Sequence, residues 1–244
     1  MRLWVDTDVG TNPDDAVALL CAAAHPDVEL VGVSTVGGDP SWRARVARQL
    51  VDTRVVDRSQ DLHLLIQGAQ PEALLAIGPL TNVAALIRDG CRMPRLAIMG
   101  GAQTPVDHRG ARRIVEHNFG ADPAAAALVL SAGPALLCPL DVTVRMCLDT
   151  AETARLAAAD ARLSVYVDEW GRQAPGLPVC LHDPLAFLAL LGEPFVGLEQ
   201  RALVVEPDGR LRETTGEPTH DVVIDVDAHA AKARIFDLLE HPRR

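Results

Sequence analysis

Leu3-Trp4-Val5-Asp6-Thr7-Asp8-Val9-Gly10-Thr11-Asn12-Pro13-Asp14-Asp15, running on through Ala16 to Ala24, reads as a strand, an acidic turn and a helix. Leu3–Val5 is apolar like a buried strand. Pro13 suits the first turn of a helix that continues over Asp14–Ala24. Asp6, Asp8, Asp14 and Asp15 therefore crowd four carboxylates into one strand-to-helix turn. Such groups repel one another unless a cation or strong donors sit among them. Helix capping accounts for Asp14 and Asp15, but not for Asp6 and Asp8 on the strand side. The run points to a metal-assisted enzyme.

Working outward, strand and helix signals alternate. Val28–Val36, Leu74–Ile77, Leu96–Met99 and Ala135–Leu137 read as strands, with helices over Ser41–Asp52, Leu80–Arg88 and Pro123–Ser131 between them. Beyond Asp149 the pattern turns helical, over 151–159, 163–172 and 184–191. Late strands at Arg201–Val205 and Val222–Val226 and a closing helix over Ala228–Glu240 follow. This order predicts an α/β fold: a single domain over residues 1–244, built on a mostly parallel, open, Rossmann-like sheet with helices on both faces. In such sheets ligands bind beyond the carboxyl ends of the strands. The acidic run, Gly37-Gly38-Asp39 and Met99-Gly100-Gly101 all leave such ends.

Asp8 and Asp15, on the two sides of the first turn, could clamp a hard cation such as calcium, which takes roughly 6–8 oxygen ligands. Asp183, in Cys180-Leu181-His182-Asp183-Pro184-Leu185-Ala186, is the natural third carboxylate, although it also suits a helix N-cap. His182 could serve as a general acid, because the ordinary histidine pKa lies near neutrality.

Composition narrows the class. The chain has 244 residues, 48% of them apolar and 3% aromatic, so the core must be mostly Ala, Val and Leu. A net charge of -10 argues against binding nucleic acid polymers or membrane surfaces. No apolar run approaches the roughly 20 residues of a membrane span. The five cysteines (21, 91, 138, 147, 180) form no CxxC pair and read as reduced core residues of a cytoplasmic protein. No secretion signal is visible, which gives the same expectation.

Five motifs in order resemble the inosine-uridine nucleoside hydrolase family, which cleaves the N-glycosidic bond of ribonucleosides. The opening run is similar to that family's DTDxGxDDAxAL signature, with extra residues between Gly10 and Asp14. Gly78-Pro79-Leu80-Thr81-Asn82, Met99-Gly100-Gly101, Glu116-His117-Asn118 with Asp122-Pro123, and His182-Asp183-Pro184-Leu185-Ala186 match four further motifs. The resemblance implies calcium held by Asp8, Asp15, Asp183 and the main-chain carbonyl of Ile77. It implies Asp8 as proton acceptor from water and His182 assisting departure of the base. Asp14, Glu116 and Asn118 would bind ribose hydroxyls, Met99 and Asp39 would lie at the sugar, and Asp6 would support the loop from behind. A small ribonucleoside substrate and a homodimer or homotetramer are implied as partners.

The pattern departs from the family in places. Asp39 stands where the family has Asn, and the segment from Asp39 to Ile77 is short and lacks an HGxDGLG-type loop. Gly110 falls where a sugar-contacting Asn is usual, and His117 replaces Phe. His108-Arg109 and Arg112-Arg113 make the nearby loop basic, either as a solvated loop or as a site for an anion on an altered substrate. Two other readings compete with a calcium-dependent hydrolase that yields ribose and free base. One is a catalytically weak or altered-substrate relative that binds a ribosyl compound through the same metal cradle. The other is an aspartyl phosphatase of the haloacid-dehalogenase type, from Asp6-x-Asp8. Thr81 and Asn82 are expected to cap the helix that follows them.

Overall fold

The computed structural model describes residues 1–10, 12–57 and 61–242; Thr11 of the opening run lies outside them. Strand and helix alternate through β1 (Arg2–Thr7), α1 (Pro13–Ala24), β2 (Glu29–Thr35), α2 (Pro40–Leu50), β3 (Val55–Val56), α3 (Leu62–Ala69), β4 (Ala73–Ala76), α4 (Thr81–Arg88) and β5 (Arg95–Met99). A hairpin of β6 (Val106–His108) and β7 (Ala111–Arg113) precedes α5 (His117–Ala121), α6 (Pro123–Ala132) and β8 (Leu136–Cys138). The helical stretch is α7 (Leu140–Thr143), a 3₁₀ turn at Val144–Met146, α8 (Thr150–Ala159), α9 (Ala161–Gln173) and α10 (His182–Leu191). The chain ends with β9 (Val196–Arg201), β10 (Leu203–Val205), β11 (Leu211–Glu213), β12 (His220–Val226) and α11 (Ala228–Glu240).

Eight strands form one open sheet in the order β3-β2-β1-β4-β5-β8-β12-β9. Every pairing is parallel except that of β9 with β12. The order reverses between β1 and β4: β2 and β3 extend one way from β1, and the later strands extend the other. That switch point is where a parallel sheet opens a crevice for ligands.

The pleat of β1 sends alternate side chains to opposite faces. Leu3 and Val5 enter an apolar layer with α1 and α10, while Trp4 enters a second layer with α4 and α6. The same alternation carries into the acidic motif. Thr7 falls on the α1 side, where its hydroxyl donates to Asp15 Oδ1 at 2.5 Å. Asp6 falls on the α4 side, where its Oδ1 accepts from Asn82 Nδ2 at 2.8 Å and from Ser34 Oγ at 2.5 Å. Ser34 in turn accepts from Trp4 Nε1 at 3.0 Å.

Asn82 therefore does not cap α4, whose N-cap is Leu80, and Thr81 donates instead to Asp122 Oδ2 at 2.6 Å. Both side chains reach across to other elements because their own helix turn sits against the carboxyl end of β1. Asn82→Ala would leave a buried carboxylate short of a donor, a loss of about 2 kcal/mol. The expected result is a fall in Tm of about 4–8 °C, measured by calorimetry.

The structure adds elements that the sequence pattern did not show. Asp61 caps α3 by accepting from Leu64 N, and β3 is too short to carry a periodicity. The expected strand over Arg201–Val205 is divided, because Arg201 ends β9 whereas Leu203–Val205 leaves the main sheet to pair with β11. The cysteine expectation is also corrected. Cys147 and Cys180 are joined in a disulfide, and Cys21, Cys91 and Cys138 are the buried thiols. Two backbone bonds, Leu148 N to Val179 O and Leu181 N to Met146 O, lay the two segments side by side despite 33 residues of separation. With that bridge, cysteine usage no longer argues for a cytoplasmic location. Among the described residues, no helix is long and apolar enough to cross a membrane.

Candidate active site

A cavity of about 230 Å³ opens at the switch point. Asp8 enters it from the residue after β1, and Asn12, Asp14 and Asp15 enter from the start of α1. Ile77 follows β4, and Met99 ends β5. Glu116 and Asn118 come from the start of α5, and His182 and Asp183 from the first turn of α10. Helix α10 is buried all round, so its N-terminus is fixed against the sheet edge. One cavity thus gathers residues far apart in sequence, drawn from six different elements.

Gly78 lets Asp8 sit there. A side chain on Gly78 would bring a Cβ within 2.9 Å of Asp8 N and 2.8 Å of Val36 Cγ1. Arg43 of α2 holds the same loop. Its Nε donates to Gly37 O and its Nη1 to Val9 O, both at 3.1 Å, while Nη2 lies 3.7 Å from Asp8 Oδ2.

Oxygen atoms of Asp14, Asp15 and Asp183 lie within 4.8 Å of one another, all buried. Burial, then repulsion from Asp8 and Asp14, holds the Asp15 carboxyl well above the usual carboxylate range. Burial, then repulsion from Asp14, Asp15, Asp8 and Glu116, does the same to Asp183. Burial pushes Asp14 up to about 6 against the pull of Arg109. Asp8 is also raised by burial, opposed by Arg43 and His117. These acids cannot all ionise cheaply by themselves. The donors are all oxygen, which suits a hard divalent cation. Ile77 adds a carbonyl oxygen that accepts weakly from Asn118 Nδ2, at 3.4 Å.

Carboxyls raised in this way stabilise the fold only while protonated. Their contribution is complete below the unfolded value near 4 and is lost as pH rises through the folded value, about 6 for Asp14. The cation-free protein should therefore lose Tm between pH 5 and pH 7. Saturating calcium should remove most of that loss, as thermal melts at the two pH values with and without chelator would show.

A family model for the inosine-uridine preferring nucleoside hydrolases matches residues 52–233, most of the chain. The chain belongs to this family. Members are glycosidases that act on N-glycosyl bonds, and the family is metal-dependent. A pyrimidine-specific ribonucleoside hydrolase, RihA of Salmonella gallinarum, is 30% identical over 316 aligned positions that cover 99% of both proteins. The alignment is longer than this chain's 244 residues, so the relative carries segments that this nucleoside hydrolase lacks. Among solved structures, the plant nucleoside hydrolase PpNRh1 has the same fold, with a TM-score of 0.81 at 19% identity over 99% of each chain. So does a purine-preferring ribonucleoside hydrolase from Gardnerella vaginalis, with a TM-score of 0.79 at 22% identity, covering 98% of this chain and 99% of that one.

Within this nucleoside hydrolase, the expected residues fall into three groups. Asp8, Asp14, Asp15, Ile77, Met99, Glu116, Asn118, His182 and Asp183 share the cavity. Asp6 lies behind it, bonded to Ser34 and Asn82, and is not among the lining residues. An Asp6 nucleophile of the phosphatase type has no access to a substrate there. Asp39 is brought elsewhere: exposed, it caps α2 by accepting from Trp42 N at 3.0 Å. Pro40 at the start of α2 fixes the helix there, so the Asp39 carboxylate is spent on its backbone rather than on a sugar.

Glu116 is largely committed to the backbone. It accepts from Asn118 N (2.7 Å), Gly101 N (3.0 Å) and Phe119 N (3.1 Å). Asn118 Nδ2 donates to Met99 O at 3.0 Å. His182 Nδ1 shares a 2.8 Å hydrogen bond with Thr143 Oγ1, while its Nε2 is buried with no partner among the described residues. Burial, with help from His108 and Arg109, holds the His182 pKa well below the ordinary histidine value. Burial therefore favours the neutral imidazole over the near-neutral general acid that the sequence led us to expect. The ring of His108 meets it edge-on, with centroids 4.9 Å apart. Thr7, Arg43 and Thr143 are the participants that sequence reasoning missed. Thr7, set between two motif aspartates, carried the only local signal.

Proposed function

We propose that this chain hydrolyses the N-glycosidic bond of ribonucleosides with calcium as cofactor, giving ribose and the free base. The buried acids around one cavity are the observation that carries this reading. When bound, the cation supplies Lewis acidity that makes water a stronger acid at neutral pH. Asp8 takes the proton from the attacking water, with Arg43 beside it fixing its carboxylate. Cleavage passes through an oxocarbenium-like state. Anionic side chains around the ribose favour that developing positive charge. Asp14, Glu116 and Asn118 bind ribose hydroxyls, which selects ribose over deoxyribose, and Met99 forms the wall beneath the sugar. His182, oriented through Thr143, presents Nε2 to the departing base and lowers its charge by hydrogen bonding as a neutral imidazole.

The test is chromatographic detection of ribose and base from inosine and uridine, with and without chelator. Release that chelator abolishes and calcium restores supports the reading. Tight calcium binding without release from either riboside would instead favour a non-hydrolytic ribosyl-binding relative.

A further inference from the structure

We infer that the ribosyl compound taken by this site carries an anionic group, bound by the arginines of the β6–β7 hairpin; this rests on the ribosyl-hydrolase reading above. The hairpin is built around Arg109 and Gly110, whose φ values of 52° and 71° are both left-handed. That is the two-residue turn matching the twist of paired strands. Pairing sets Val106 opposite Arg113 and Asp107 opposite Arg112. Alternation then separates the two arginines of β7. Arg112 pairs outward with exposed Asp107 at 3.3 Å. Arg113 and His108 line the cavity, and Val106 packs with Ala102 and Leu140 to anchor the hairpin.

Arg109 folds back from the tip. Its guanidinium carbon lies 4.5 Å over the Trp170 ring. Stacking uses the face of the guanidinium and leaves its in-plane N–H donors available. The Nε atom is buried with no partner among the described residues. Neither Arg109 nor Arg113 forms an ion pair among those residues, and the two cations repel each other. Asp14 and Asp183 attract Arg109 across the cavity without closing a bond to it. A purely solvated arginine in an acidic chain would behave as Arg112 does, whereas Arg109 is stacked on Trp170 and the exposed Arg113 lines the cavity. The cavity is instead bipolar, with acids at the strand ends and guanidiniums on the facing rim. A neutral nucleoside leaves the rim unmatched, whereas a phosphate or carboxylate accepts fork-like hydrogen bonds from it. Two sources fit that chemistry: a nucleoside 5′-phosphate, or a nucleoside whose base bears a carboxylate.

The experiment compares kcat/KM of the calcium-loaded enzyme for uridine, uridine 5′-phosphate and orotidine. The expected result is a preference of at least tenfold for one anionic compound over uridine, and which one it is identifies the source. Arg113→Gln, at an exposed position, should cut that preference at least tenfold, and Arg109→Gln should do the same if the protein still folds. Cleavage of uridine as fast as both anionic compounds overturns the inference and leaves the hydrolase reading intact. If none of the three is cleaved, and inosine is not cleaved either, the hydrolase reading fails. Equilibrium binding of the same compounds then decides the inference: tenfold tighter binding of an anionic one supports it, and equal binding overturns it.

Discussion

Asp8→Ala lowers kcat/KM for a cleaved ribonucleoside by at least about 10³-fold, the range expected when a positioned proton acceptor is removed. Three features concentrate that effect on one residue. Asp8 is the first residue beyond the central strand β1, at the point where strand order reverses. Gly78 admits it to the cavity, and Arg43 steadies it at 3.7 Å. Asp8→Ala also leaves Arg43 without its carboxylate partner, but Arg43 keeps its bonds to Gly37 O and Val9 O. The fold should therefore survive, with Tm within about 3 °C of the wild type. Steady-state kinetics on a variant shown by melting to be folded checks both halves. Wild-type turnover in Asp8→Ala would remove the proposed proton acceptor.

Asp183→Asn is expected to separate function from stability. Its carboxylate is buried, raised by burial and by four neighbouring acids, and supplies the charge that the opening run lacks. Replacing it with an isosteric amide removes one repelling charge, so the chelator-treated variant should melt higher than chelator-treated wild type at pH 7. The same change removes a hard oxygen donor. Calcium affinity should fall at least about 100-fold, and turnover should fall about 10³-fold. The calcium-induced rise in Tm would then disappear, because ligand stabilisation follows affinity. Calorimetry with and without calcium reads both effects. A lower melting temperature for the chelated variant would mean that the Asp183 carboxylate stabilises the first turn of α10 and is not a strained donor.

The fold was legible where local signals and sheet logic coincide. Alternating apolar strands and helices predicted the parallel sheet, and β1, α1, β5 and α11 lie within a residue or two of expectation. The site was legible because acids at a strand-to-helix turn have few structural uses. Other features depend on contacts between distant segments, which no window of sequence reveals. Asn82 looked like a helix cap because it follows a turn, yet it bonds Asp6, 76 residues away. Asp39 looked like a site residue because it leaves a strand end, yet the helix behind it takes its carboxylate. The pairing of Cys147 with Cys180 and the hydrogen bond of His182 to Thr143 both arise where the segment before α10 packs on the chain around α7. The basic hairpin read as a loop because each of its strands is only three residues long.

If N-glycosidic cleavage depends on one cation held by these acids, binding and turnover must rise together. Calcium titrated into chelator-treated protein, followed by calorimetry and by ribose release in the same buffer, tests it most directly. One ion should bind per chain, with a rise in activity whose midpoint matches the binding curve. Ribose release at full rate with no calcium bound would contradict it.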